Sequence, residues 1–128
     1  MPSLRGIHVF LVVEDAESRE LMKTVLEYAG ALVSTVSAPR AALATLNAIR
    51  PDVVLADLGA DGDAAVALID QIHTLRGGAR IPAIVVTARG GRDERERLLK
   101  AGFQQQLVKP LDPWELCRLV ASLAARST

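Results

Sequence analysis

The sequence predicts an α/β domain built on a parallel sheet with helices on both faces. Three observations carry that prediction. Five short runs rich in Val, Ile and Leu alternate with segments whose apolar residues recur every three or four positions. Parallel strands need such crossover segments, and the crossovers are almost always right-handed. The clearest run, Val53-Val54-Leu55-Ala56, is apolar at every position, as a strand buried on both faces must be. It ends on a single carboxylate, Asp57, at the edge where open α/β sheets hold ligands.

In chain order, residues 1–6 carry no clear structural signal and read as a tail or linker remnant, ahead of a domain over 7–125 and a short tail over 126–128. Residues 7–13 (IHVFLVV) are a β-rich apolar run that ends in Glu14-Asp15. Residues 16–29 place Leu21, Met22, Val25, Leu26 and Ala29 on one helical face, and Gly30 stops the helix. Residues 31–36 are a second strand. Ser37 is expected to cap a helix with Pro39 in its first turn, a stripe of Ala42, Leu43, Leu46 and Ile49, and Pro51 beyond its end.

Residues 52–57 are the third strand and 59–63 a loop. Residues 65–75 form a helix with Val66, Ile69, Ile72 and His73 at helical spacing, ended by Gly77-Gly78. The fourth strand, 81–87, ends in Thr87. Residues 92–101 are a highly charged helix with most of its surface in water, terminated by Gly102. Residues 105–108 are a weak fifth strand ending in Lys109-Pro110. The last helix has Asp112 as N-cap, Pro113 at the first helical position, Glu115 at capping-box spacing and a buried face of Leu116, Leu119, Val120 and Leu123. Trp114 defaults to packing, Cys117 to a small packed side chain, and His8 and His73 to structural or exposed positions.

Within this class the expected strand order is 2-1-3-4-5, a flavodoxin-like (βα)5 three-layer sandwich. The bulk numbers agree. With 128 residues the chain has the size of one domain able to bury a core without staples. Fifteen basic and 15 acidic residues give a net charge of zero, which argues against a charge-driven nucleic-acid or membrane-surface module. One cysteine excludes an intrachain disulfide and fits a reducing, cytoplasmic setting. No apolar stretch approaches the roughly 20 residues that span a bilayer, and the N-terminus has no signal-peptide pattern.

The predicted order brings Glu14-Asp15, Asp57, Thr87 and Lys109 to one edge of the sheet. Glu14, Asp15 and Asp57 form an all-oxygen anionic pocket that is costly without a cation, and a hard divalent ion such as Mg²⁺ suits it. With Mg²⁺ and the Lys109 ammonium offsetting charge, a carboxylate can accept a phosphoryl group, and Thr87 can hydrogen-bond one of its oxygens.

This constellation, Glu14-Asp15, Asp57, Thr87-Ala88 and Lys109-Pro110, resembles the receiver domain of two-component response regulators, over nearly the whole chain. The stretches LRGIHVFLVVED, GARIPAIVVTA and AGFQQQLVKPLDPWEL are most similar to the receiver at the C-terminal end of hybrid sensor histidine kinases. That no output domain follows Thr128 agrees with such an origin or with a stand-alone receiver. The resemblance implies that Asp57 takes a phosphoryl group from a phosphohistidine. It implies that Asp15 ligates Mg²⁺ directly, Glu14 acts mainly through water, and the Gly59 carbonyl is a further ligand. Thr87 would be the switch hydroxyl, Lys109 the phosphate-pairing ammonium, and Lys109-Pro110 a cis bond.

The expected partner is a histidine kinase or phosphotransfer protein, with no nucleic acid and no direct membrane contact; a weak homodimer is compatible. The chain is expected to be no enzyme for an external substrate, but a phosphoacceptor that catalyses its own phosphorylation and dephosphorylation.

Three departures from the family pattern stand out. The loop after Asp57 holds Ala60, Asp61, Ala64 and Ala65 where a Met-Pro pair and Asp-Gly are usual, and Asp61 and Asp63 add negative charge. The segment from Asp15 to Leu21 is one residue short. Gln106 replaces the usual aromatic three residues before the lysine, so coupling from Thr87 to an aromatic cannot operate in its usual form.

The competing reading is a degenerate receiver that binds a partner without being phosphorylated. An aspartate-nucleophile phosphatase would carry a second aspartate where this chain has Gly59. A flavin carrier would want aromatics, and Glu14-Asp15 would repel its phosphate.

Overall fold

The computed structural model describes residues 1–59 and 62–126. The loop residues Ala60 and Asp61, like the last two positions of the expected 126–128 tail, lie outside the described residues. The elements alternate as β1 (His8–Val13), α1 (Ala16–Tyr28), β2 (Leu32–Val36), α2 (Pro39–Leu46), β3 (Val53–Asp57), α3 (Asp63–Thr74), β4 (Ala83–Thr87), α4 (Arg92–Ala101), β5 (Gln105–Val108) and α5 (Pro113–Arg126). A 3-10 turn, Gly78–Arg80, leads into β4. The five strands are all parallel in the order β2-β1-β3-β4-β5, as the sequence predicted.

The period of two along each strand sorts the core into two layers. Val9, Leu11 and Val13, with Val53, Leu55, Ile84, Val86 and Leu107, pack under α1 and α5 against Met22, Leu26, Leu116, Val120 and Leu123. Phe10 and Val12, with Val54, Ala56, Ala83 and Val85, pack on the other face against residues of α2, α3 and α4, among them Leu46, Leu68, Ile69, Ile72 and Leu98. All five β3 residues are buried. Cys117 packs in the first layer, and burial pushes its thiol pKa up. Among the described residues no helix is long and apolar enough to cross a membrane.

Several local expectations are corrected. Ser37 does not cap α2: the N-cap position is Ala38, with no side-chain hydrogen bond, and Pro39 provides the start through its fixed φ. Leu21 does not face the core but is 63% exposed, and Trp114 is 55% exposed rather than packed. A helical stripe wider than its neighbours can cover leaves its edge in water. The N-terminal segment, in contrast, is anchored. Leu4 is fully buried in the first layer, and its N–H donates to the Ala29 carbonyl at 2.7 Å. Gly102 ends α4 at φ +128°, a conformation open to glycine, and a Cβ there would stand 2.3 Å from His73 Cε1.

Candidate functional site

The β1–β3 register sets Val13 beside Asp57, and the Glu14 N–H donates to the Asp57 carbonyl at 3.1 Å. The β4–β5 register sets Thr87 beside Val108, and the Lys109 N–H donates to the Thr87 carbonyl at 2.9 Å. Parallel pairing thus carries Glu14, Asp57, Thr87 and Lys109 to the C-terminal edge of the sheet. This is the backbone-level convergence the sequence implied.

Asp57 is 4% exposed. Lys109 Nζ lies 2.8 Å from its Oδ2. That oxygen is buried and takes no hydrogen bond of regular geometry, so charge rather than a directed bond holds the pair. The Lys109–Pro110 peptide is cis. Asp57 and Lys109 meet because both continue the strand positions that face α1 and α5: Asp57 follows Val53 and Leu55, and Lys109 follows Leu107.

Glu14 and Asp15 are exposed. Arg19 of α1 fixes the chain here, donating from Nη1 to the Val13 carbonyl at 2.9 Å and to the Glu14 carbonyl at 3.3 Å. Asp15 is the N-cap of α1, its Oδ2 accepting the Ser18 N–H at 2.8 Å, so helix and strand are joined by two residues. The bond from the Ser18 N–H, and then that from its hydroxyl, hold the Asp15 carboxyl below its ordinary pKa, with Lys109 and Arg19 adding attraction. Gly59, at φ +101°, passes beside Glu14: a Cβ there would lie 3.6 Å from Glu14 Oε1.

Whether this donor set suits a hard cation can be judged from its chemistry. Glu14, Asp15, Asp57 and the Gly59 carbonyl offer oxygen alone, and Asp57 Oδ2 is a buried acceptor without a directed donor. Capping occupies Asp15 Oδ2, leaving its other oxygen. These groups fit Mg²⁺ in kind. Among the described residues, however, no three carboxylate, imidazole or thiol groups are grouped closely enough to hold a metal on their own.

Thr87 is 4% exposed, and its hydroxyl is engaged away from Asp57, donating to the Arg89 carbonyl at 2.9 Å. Gln106 Nε2 donates to the same hydroxyl at 2.9 Å. Sequence reasoning marked Gln106 only as a missing aromatic, and it missed Arg19 altogether. The side-chain amide at a buried strand position was the signal for Gln106; an arginine on an exposed helix turn gives none. An open groove of about 550 Å³ runs beside the site, lined by Ser18, Leu21, Met22, Lys109, Pro110 and Leu111.

The sequence matches the response regulator receiver domain family over residues 9–121. It is 32% identical over 120 residues to an uncharacterised 14.6 kDa protein in the sodA1 3′ region of Leptolyngbya boryana, covering 94% of this chain and 92% of that protein. It is 31% identical over 121 residues to the sensor histidine kinase GacS of Pseudomonas protegens, covering 92% of this chain but only 13% of the kinase. Among solved structures, it resembles the receiver domain of the sensor histidine kinase PA1611 from Pseudomonas aeruginosa, described with a magnesium ion coordinated in its active-site cleft. The TM-score is 0.81 and the identity 26%, over 94% of this chain and 98% of that one.

Proposed function

The chain belongs to the response regulator receiver family of two-component signalling, and from that membership we propose that Asp57 is its phosphoacceptor, served by Lys109, Thr87 and a Mg²⁺ site at the ends of β1 and β3. The proposed receiver domain spans residues 7–125. The observation that carries the proposal is the buried Asp57 carboxylate with the Lys109 ammonium 2.8 Å from it.

In the proposed reaction an Asp57 oxygen forms a bond to the phosphorus of a phosphohistidine as the P–N bond breaks. The electron pair of that bond leaves with the imidazole, which departs neutral when its other ring nitrogen carries a proton. Lys109 then pairs with a phosphoryl oxygen as the charge of Asp57 passes into the acyl phosphate. Asp15, Asp57 and the Gly59 carbonyl would hold Mg²⁺ directly, with Glu14 acting through water. When bound, Mg²⁺ offsets negative charge on the phosphoryl oxygens.

Arg19 supports the reading by fixing the carbonyls from which Glu14 and Asp15 project. The apolar groove beside Lys109, with Leu21 exposed at its wall, supports approach of the donor, a histidine kinase or a phosphotransfer protein, over α1 and the loop that follows β5. Origin within a larger hybrid kinase draws on the likeness to GacS.

The test is beryllofluoride with Mg²⁺. Amide resonances around Asp57, Thr87 and Lys109 shift in the wild type and stay in place in Asp57→Asn. Silence of the wild type at millimolar Mg²⁺ overturns the proposal and leaves a phosphorylation-independent interaction module, the reading favoured by the unusual loop after Asp57.

A further inference from the structure

Thr87 and Asp57 end neighbouring strands, yet their side chains follow opposite faces of the sheet. Asp57 continues the positions of Val53 and Leu55 toward α1 and α5, whereas Thr87 continues those of Ala83 and Val85 toward the other layer. Gln106 stands opposite Val85 on β5, diagonal to Thr87 and on the same face.

A hydroxyl has one proton. That of Thr87 is given to the Arg89 carbonyl, and its oxygen receives the Gln106 amide, both at 2.9 Å. The orientation of the Gln106 amide follows from this: with the Thr87 proton committed to Arg89, only the Nε2 end can make a bond. In this state Thr87 has nothing to donate to a group on Asp57. To do so its hydroxyl must leave the Arg89 carbonyl and rotate, and Gln106 Nε2, at a position 9% exposed, then loses its acceptor.

We propose that Gln106 is a positioning residue that holds the Thr87 hydroxyl in its resting orientation through the Nε2–Oγ1 hydrogen bond, so that occupation of Asp57 by a phosphoryl group must break that bond. This rests on the reading of Asp57 as the phosphoacceptor and Thr87 as a donor to it. Gln106 thereby sets a threshold for phosphoryl capture without touching the phosphoryl group. A buried donor left unpaired is a real cost, so its removal makes capture more favourable.

The experiment compares the wild-type chain with Gln106→Met and Gln106→Leu, which keep bulk and remove the donor. Beryllofluoride affinity at saturating Mg²⁺ and the Thr87 χ1 populations from three-bond couplings are measured. The wild type holds one χ1 rotamer. The variants populate a second and bind beryllofluoride about tenfold more tightly, equivalent to about 1.4 kcal/mol. In a Thr87→Ala background the gain disappears, because the bond that Gln106 makes is already gone.

Affinity in both variants equal to or weaker than wild type overturns the proposal, as does a gain that survives Thr87→Ala. Failure of the underlying reading looks different: the wild type itself then shows no beryllofluoride response at Asp57, and the inference falls with it.

Discussion

Asp15 has two duties on one carboxylate. It caps α1 through Oδ2, and it is the residue proposed to meet the cation. Asparagine caps as well as aspartate but carries no charge, so substitution separates the duties. Asp15→Ala is expected to lower the urea midpoint at pH 7, while Asp15→Asn leaves it nearly unchanged; both lose the Mg²⁺ response. Equal loss of stability in the two variants would exclude the capping role. The pH dependence follows in sign. Hydrogen bonds from Ser18, backbone first and then hydroxyl, place the folded pKa of Asp15 below its unfolded value. The stabilisation is therefore complete above the unfolded pKa and is lost as pH falls through the folded one. Denaturation across pH 2–5 should show a steeper acid decline in the wild type than in Asp15→Asn. Gln106 and Arg19 belong to this scale too. Gln106 acts through the Thr87 hydroxyl and Arg19 through the Val13 and Glu14 carbonyls, groups at the ends of other elements, which is why neither shows in a motif.

Among the α-helices, α4 has the fewest buried side chains. Its sequence RDERERLLKA has a single fully buried side chain, Leu98. Arg97 adds ion pairs to Asp63 at the start of α3 and, at 3.6 Å, to Glu94 one turn back. Leu98→Ala should cost about 2–4 kcal/mol, the range for a large-to-small change in a packed core. Arg92→Ala removes a pair whose side chains are 88% and 68% exposed and should cost less than about 0.5 kcal/mol. Urea denaturation checks both, and comparable losses would refute this account of the helix. Because β4 leads through Arg89 into α4, a helix held by one core residue is suited to follow the proposed movement of the Thr87 hydroxyl.

At the scale of the whole molecule, the parallel order β2-β1-β3-β4-β5 gathers acidic groups from β1 and β3 and one ammonium from β5 at the same edge. Like charges there oppose one another, so a cation bound only by the folded state should stabilise it by mass action. At ten times its dissociation constant, Mg²⁺ should add about 1.4 kcal/mol and raise Tm by several degrees. The shift should vanish in Asp57→Asn. Thermal unfolding with and without Mg²⁺ measures it, and an equal shift in both proteins would place the ion elsewhere.

Local pattern was enough for most of the architecture. The apolar runs marked the three buried strands β1, β3 and β4, α4 and β5 lie where periodicity and Gly102 put them, and Asp57, Thr87 and Lys109 were visible as polar residues at strand ends. Where one element's pattern depends on another's coverage, the sequence misled. Leu21 shares the apolar stripe of α1 yet is exposed, while Leu4, in a segment without pattern, is buried against Ala29. Periodicity tells which face of an element is apolar, but only neighbouring elements decide whether it is covered.

The same holds at the site. The sequence by itself determined which chemical groups reach the edge of the sheet, because strand ends and residue types are local properties. The tertiary structure decided which groups meet: Lys109 with Asp57, and Gln106 with Thr87. Those pairings come from strand register and from the face each side chain takes, and both are set only when distant strands align.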